Sequence, residues 1–473
     1  MKNSMRFASG LMFMMALVVA VLSSSSRAQT CTKAAGETAV YASCSGGTNL
    51  QGSSAYIDTV GLTGGTGDVC AQINTALKSA PAAGAVIDAR GVLGSGGIQL
   101  CSASPWTGTP SSGHWPPATI LLPAGVIVIP GQWILPNQTR IIGHNAGPAS
   151  AGGAGNTTIR ACVKGVNGCT AAFSGSEMIV MGSSATVDNC ASTGCTGIGI
   201  EDLWLDGQGI ASLSGLYNNF AVDLSYAKHV NLYQILGNGL WLTGTSQNSG
   251  PYTDIGFSLG SASATSTVCV RIANVATRGV HGLTCSGSSS TEPNYAVVLD
   301  ASSTSIEDVE IQNFKTGVLV GANDPARDDA LLNIQGGTNV STVVSISGGS
   351  NAVSDIAIVG VTNGGNSSAT TISDNRTSPA TNIKTATVGL YVLGDQVDAS
   401  GSKLGFSRFT TDPTVPSWSV EGAKPSPLTG CTVGSLYSNS QGTGTGSNID
   451  TWYVCLPKNK CSPTTATCWT PIG

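Results

Sequence analysis

The sequence predicts an all-β chain whose main body is a parallel β-helix, with a capping helix before it and a small cysteine-rich β tail after it. Three observations point there. Charged residues make up only 10% of the 473, against roughly a quarter in an average soluble domain, so amphipathic helices are hard to build. Short Val, Ile and Leu runs are broken repeatedly by Ser, Thr, Asn and the 62 glycines, which is the punctuation of short strands. Finally, a hexad recurs after residue 197: apolar, any, Asp/Asn/His, apolar, any, apolar.

The N-terminus reads as a secretory signal. Lys2 and Arg6 precede the apolar run from Leu11 to Leu22, and Ser26 and Ala28 offer small residues for a cut before Gln29. The run is short for a bilayer span of about 20 residues, and no later run is long and apolar enough to cross. Cleavage would remove three of the 21 basic residues and none of the 26 acidic ones. The acidic chain that remains has no basic face of the kind that grips nucleic acid. Export together with an even count of 14 cysteines predicts disulfides. Cys31/Cys44, Cys162/Cys169 and Cys190/Cys195 are close enough to close local loops. There is no CxxC, and the four histidines are dispersed, so structural zinc is disfavoured.

Residues 29–60 are a small, polar lead-in. Asp68 to Ser79 is the one convincing helix: Val69, Cys70, Ile73, Ala76 and Leu77 share a face, Asp68 caps the start, and Pro81 follows the end. Strands are expected at Ala85–Ala89, Thr119–Leu122, Val126–Ile129 and Thr139–Ile142, with a long loop from Gly91 to Pro117. The β-helix is expected over 61–400. Hexad copies begin at Ile200, Ala227, Ile272, Ile306 and Val353, placing Asp202, His229, Asn274, Asp308 and Asp355 at the third position. The starts lie 27, 45, 34 and 47 residues apart, and two of those gaps approach twice 23, which implies degenerate turns between them. Glycine-led alternations follow several copies, at Gly239–Leu242, Gly279–Leu283 and Gly317–Val320. One such unit cannot bury its apolar face alone, so successive units must stack. Blades of a β-propeller need about 40–45 residues each, which the shorter gaps fit poorly. Prolines at 413, 416, 425 and 427 mark 401–430 as a linker or terminal coil, and 431–473, with four cysteines and short aromatic strands, reads as a stapled β module.

Three segments resemble the pectate-lyase-like superfamily of right-handed parallel β-helices, in particular its polygalacturonase-related module. They are the helix Val69–Leu77, the strand entry Ile120-Leu121-Leu122-Pro123-Ala124-Gly125 and the turn Arg140-Ile141-Ile142-Gly143. The likeness spans roughly 55–400 and is strongest at 65–145. It implies an elongated secreted protein that meets a polysaccharide along its side. Polygalacturonase-like relatives hydrolyse with inversion, one carboxylic acid protonating the leaving oxygen while a carboxylate activates water. None of their four signatures is intact here. Asn218-Asn219 with Asp223 echoes the first, Asp328-Asp329 falls out of family order, and Gly279-Val280-His281-Gly282 is one residue too long. Lyase relatives use calcium-binding aspartates and an Arg or Lys base, for which Arg271, Arg278 and Lys315 are available. Calcium is therefore the cofactor implied if the chemistry is elimination; no metal-ligand set is assignable, and no other cofactor is implied.

At the third hexad position the first role expected of Asp, Asn and His is in a bend just before a strand, where short polar side chains bond nearby backbone. The candidate catalytic residues are Asp206, in an Asp-Gly turn, Asp223, about one coil later, and His281 between apolar neighbours. Adjacent coils stack about 4.8 Å apart, which would bring the two carboxylates near the roughly 6.5–9.5 Å that inversion requires. Trp204, Tyr233, Trp241 and Arg278 are the candidate substrate-binding residues, since aromatic faces suit sugar rings. The leading expectation is a carbohydrate-active protein acting on or binding extracellular polysaccharide, with glycoside hydrolysis ahead of calcium-dependent elimination. The competing class is a non-catalytic surface or adhesion solenoid, a rigid rod attached by its tail.

Overall fold

Strands along the chain alternate between two long sheets, and almost every pairing is parallel. The computed structural model describes residues 58–375, apart from 64–67, 94–96, 147–154, 191–193, 245–247, 274, 348–352, 355 and 365–367; beyond 375 it describes only the backbone of short strands. The expected signal segment, nearly all of the lead-in, the Cys31/Cys44 pair and the tail cysteines' side chains lie outside the described residues. The backbone of the tail strands Leu436–Asn439, Thr451–Leu456 and Cys468–Ile472 is described. They pair antiparallel in a four-stranded sheet whose edge is Trp418–Val420.

Helix α1 (Val69–Ser79) buries the five residues expected of it. Asp68 caps it through one carboxylate oxygen, which accepts from Ala71 N at 2.7 Å. Its other oxygen accepts from Ser102 N, and a Cys70–Cys101 disulfide pins the same loop to the helix. The strands expected at 85, 119, 126 and 139 are present at Ala85–Gly91, Ala118–Leu121, Gly125–Ile129 and Thr139–Ile142. The long loop contains one further short strand, Ile98–Leu100.

The repeat sets the core. In the first sheet Ile200, Ala227, Tyr252, Val280, Ile306, Leu331 and Ile358 stack in one paired column. Successive members lie 25–28 residues apart, so the coil matches the expected 27-residue gap and is longer than the 23 residues implied by halving the two long gaps. The second sheet stacks Leu216, Leu240, Val270, Val297, Val318, Val344 and Ile372 against them. Each inward side chain thus packs on its own kind above and below, which is how single coils that are unstable alone become one continuous core.

The third hexad position explains the pattern. Asp202, His229, Asp254, Gly282, Asp308, Asn333 and Gly360 all have φ between 51° and 69°. A left-handed residue inserted in a strand is a bulge. It shifts the inward phase, so positions 1, 4 and 6 are buried while 2, 3 and 5 face out. Asp, Asn, His and Gly are the residues that tolerate this conformation. The bend expected just before a strand at Asp202, His229 and Asp308 is instead a left-handed bulge within the strand, and their side chains pair with neighbouring coils rather than with nearby backbone; Asn274 and Asp355 lie outside the described residues.

Two expected copies are corrected. Ile272 belongs to Val268–Ala273 of the second sheet. Val353 pairs with Ala326 in a separate two-stranded sheet, and Ile358 continues the column instead. The glycine-led segments also divide: those at 239 and 317 lie in the second sheet, that at 279 in the first. Gly239 cannot carry a side chain, because a Cβ there would lie 2.5 Å from Cys269 O.

The expected Cys162–Cys169 and Cys190–Cys195 disulfides are present. Cys269–Cys285 is an addition to the expected pairs; it runs through the buried interior from the second sheet to the first. The disulfides of the described residues accord with an oxidising compartment. Among the described residues no helix is long and apolar enough to cross a membrane.

Candidate functional site

The bulge fixes what the first sheet shows to solvent. Position 2 presents Glu201, Lys228, Thr253, His281 and Glu307; position 3 the left-handed column; position 5 Trp204, Asn231, Gly256, Thr284 and Glu310. Among the described residues the carboxylates of Glu201, Asp202, Asp254, Glu307, Asp308 and Glu310 therefore share one face. Several are tied in ladders along the stack. His229 Nδ1 lies 3.0 Å from Asp202 Oδ1 and its Nε2 3.0 Å from Asp254 Oδ2. His281 Nδ1 meets Glu307 Oε2 at 3.0 Å. Asn333 Nδ2 donates to Asp308 Oδ1 at 2.8 Å.

A groove of about 410 Å³ opens on this face. Trp204 and Asn231 form one wall, Gly256 and Gly282 the floor, and Asp254, Thr284 and Ser286 the polar edges. Trp204 is held edge-on to Tyr233, with ring centroids 6.2 Å apart. Asn231 donates to Ala146 O, so an overlying loop braces that wall. Gly282 keeps the floor open, since a Cβ there would lie 2.7 Å from Asp254 Oδ1. Asp254 itself is 57% exposed.

Toward the N-terminal edge, Arg140, Glu201 and Tyr226 form a cluster. Burial opposes ionisation of Glu201, yet the Tyr226 hydroxyl and the Arg140 guanidinium together hold its carboxyl below the ordinary value. Burial, aided by Glu201, pushes the Tyr226 hydroxyl up to about 12. These groups are a fixed edge to the face rather than groups that exchange protons near neutrality.

The expected residues are only partly brought together. Trp204 and Tyr233 meet at the groove. Asp206 is 1% exposed, paired with Arg160 at 2.8 Å and with Gln208. Asp223 lies in the turn before Tyr226, 3.8 Å from Arg278. Asp206 pairs with Tyr233 at the far end of the strand that Tyr226 begins. Seven steps of about 3.3 Å separate those ends, so the two carboxylates stand roughly 20 Å apart and cannot flank one glycosidic bond. This corrects the expected Asp206/Asp223 pair. His281 lies on the first-sheet face beside Glu307, one coil beyond Thr253. Trp241 lies on the second sheet against Tyr217, at 4.7 Å between centroids. Asn218, the expected motif echo, is fully buried: its Oδ1 accepts from Phe220 N and Ala221 N, and its Nδ2 donates to Ala221 O and to Tyr252 Oη.

Sequence reasoning misses Asp254, although Tyr252-x-Asp254-Ile255-x-Phe257 fits the hexad fully; the signal that finds it is a copy placed one coil after Ala227. Among the described residues the one cluster of three metal-ligand types is Asp68, Cys70 and Cys101. Its two sulfurs are bonded to each other, so it offers no metal set.

No family model matches the chain, and no curated protein matches it. Among solved structures, the A-module of a mannuronan C-5 epimerase from Azotobacter vinelandii is similar: it is 15% identical, with 66% of this chain and 89% of that one covered and a TM-score of 0.29. A polygalacturonase from Erwinia carotovora is 12% identical, with 77% and 96% covered and a TM-score of 0.30. The architecture itself rests on the strand register: in fold this chain is the parallel β-helix that the pectate-lyase-like resemblance implied.

Proposed function

We propose that this is a secreted carbohydrate-active protein that grips a polysaccharide along its first sheet and hydrolyses it with carboxylates of the left-handed column. The observation that supports this reading is the groove, where an aromatic wall, a glycine floor and an exposed carboxylate occur side by side. Trp204 offers an apolar ring surface suited to a sugar face. Asn231, Thr284 and Ser286 offer donors and acceptors for hydroxyls.

Asp254 and Asp308 are the proposed pair. They are two coils apart in one column, and Gly282 occupies the coil between them without a side chain. Two coils at about 4.8 Å place the backbones near 9.6 Å, at the upper edge of the separation that leaves room for a water in inverting hydrolysis. Asp202 and Asp254 are equally spaced, but His229 fills the place between them.

A panel of neutral and acidic polysaccharides, read by new reducing ends and by ultraviolet absorbance of unsaturated product, tests this. Reducing ends without absorbance, lost in Asp254→Asn, are expected. Absorbance would reassign the reaction to elimination, for which calcium would be the implied cofactor. Binding with no product at all would leave the non-catalytic solenoid as the correct reading.

A further inference from the structure

A second hollow, of about 640 Å³, lies on the outer face of the second sheet. We propose that it is a separate binding site for an anionic polysaccharide, which it recognises through carboxylates set against Arg271. Arg271 faces out between the buried Val270 and Ile272. Its guanidinium has neither a carboxylate nor a hydrogen-bond partner among the described residues. A half-buried arginine with an unused fork of donors favours a planar carboxylate, which it can hold bidentately.

The surroundings are arranged for such a ligand. Among the described residues no acidic side chain lines the hollow, although the chain as a whole carries a formal charge of −5. Lys315 Nζ donates to Asn294 Oδ1, which adds a second cation at the rim and leaves the Asn294 amide hydrogens to donate. Buried Asp300 fixes Asn323 through its Nδ2, and Asn375 is held between Ser345 and Ser373. Polar groups anchored in this way lose little freedom when a ligand arrives. One coil before Arg271, in the same outward column, Trp241 packs on Tyr217. Exposed Tyr295 stands on the other side. An aromatic step, a free cation and then a row of amides and hydroxyls suits successive units of an acidic sugar chain. The hollow also has the volume of an ordinary ligand site.

The test is calorimetric binding of an oligogalacturonate to the full chain, beside its methyl ester, which keeps the sugar and removes the charge. Binding to the wild type is expected to weaken at least about tenfold in Arg271→Gln, the scale of a lost charged hydrogen bond. Arg271→Lys should recover part of that loss, and the methyl ester should bind the wild type as weakly as the free acid binds Arg271→Gln. Tyr295→Ala, at an exposed side chain, should weaken binding without touching the arginine. Undiminished affinity in folded Arg271→Gln, equal affinity for acid and ester, or no binding by the wild type would each overturn the proposal.

Discussion

The two sheets share one interior and present opposite exteriors. Inside, both stack aliphatic columns coil on coil. Outside, among the described residues, the first sheet displays a row of carboxylates and a groove beside Trp204, while the second displays a hollow that lacks acids and holds Arg271. The difference begins in the backbone. In the described coils the left-handed column runs through the strands of the first sheet and is absent from those of the second. Only Asp, Asn, His and Gly sit there at small cost. The first face thus acquires acids for a conformational reason, and chemistry can use them afterwards. The second face carries no such constraint, and its Arg271 has no backbone duty to account for it.

The largest effect that separates these roles comes from Asp254→Asn and Asp308→Asn. Asparagine keeps the left-handed backbone, so unfolding free energies should stay within about 0.5 kcal/mol of the wild type. Turnover should fall by about 10²–10⁴, the usual contribution of a positioned acid or base. If stability fell and turnover did not, the column would be structural alone and the contrast between the faces would lose its functional half.

Asp329 is an acid with a different origin. It is 2% exposed, one of its oxygens accepts from Thr304 N at 2.9 Å, and the other has no hydrogen-bond partner. Burial pushes its carboxyl up to about 7, from 3.8. Below pH 3.8 both folded and unfolded chains hold the proton. Between there and 7 the folded chain keeps a proton that the unfolded chain releases, so stability falls as pH rises. Asp329→Asn should remove this dependence and gain on the order of 3–4 kcal/mol relative to the wild type between pH 3.5 and 8. Urea unfolding across that range measures it. A flat difference would show that Asp329 is solvated and belongs with the groove acids.

The Cys269–Cys285 disulfide links the two sheets directly. Replacing both cysteines by Ala should cost about 3 kcal/mol, as expected for a loop of about 15 residues. Ligand binding at the two grooves should persist, because each is built from strands paired within its own sheet. Loss of one site alone, with the fold retained, would show that the disulfide positions that face.

What the sequence disclosed follows the same division. The inward columns are legible because stacking demands an apolar residue at fixed places, and Ile200, Ala227 and Ile306 stand in register as expected. The copy at Tyr252 fits as fully, while that at Leu331 ends on Gly336 and those at Val280 and Ile358 carry glycine at the third position, which hides the pattern. The site is less legible. Asp206 and Asp223 are near in sequence, but one closes its strand and the other lies in the turn that opens the neighbouring strand, so a strand's length separates them in space. Asp254 and Asp308 are distant in sequence and only two coils apart in space. In a coiled chain, proximity goes with multiples of the coil length, and a small error in that length moves every outward partner.

The smallest expected effect is the most discriminating. His229 bridges Asp202 and Asp254 on an open face and is itself 44% exposed. Exposed pairs of this kind contribute about 0–1 kcal/mol, and Asn, like His, accepts the left-handed conformation. His229→Asn should therefore shift the unfolding free energy by less than about 1 kcal/mol. It should still lower turnover several-fold, because it frees Asp254 to leave the orientation that faces the groove. Binding at the Arg271 hollow should not change, since His229 belongs to the other sheet. A loss of stability well beyond the range of an exposed pair would mean that the Asp-His-Asp ladder holds the first sheet together. Asp254 would then be committed to its neighbours rather than to a ligand, and the two faces would differ in charge without differing in use.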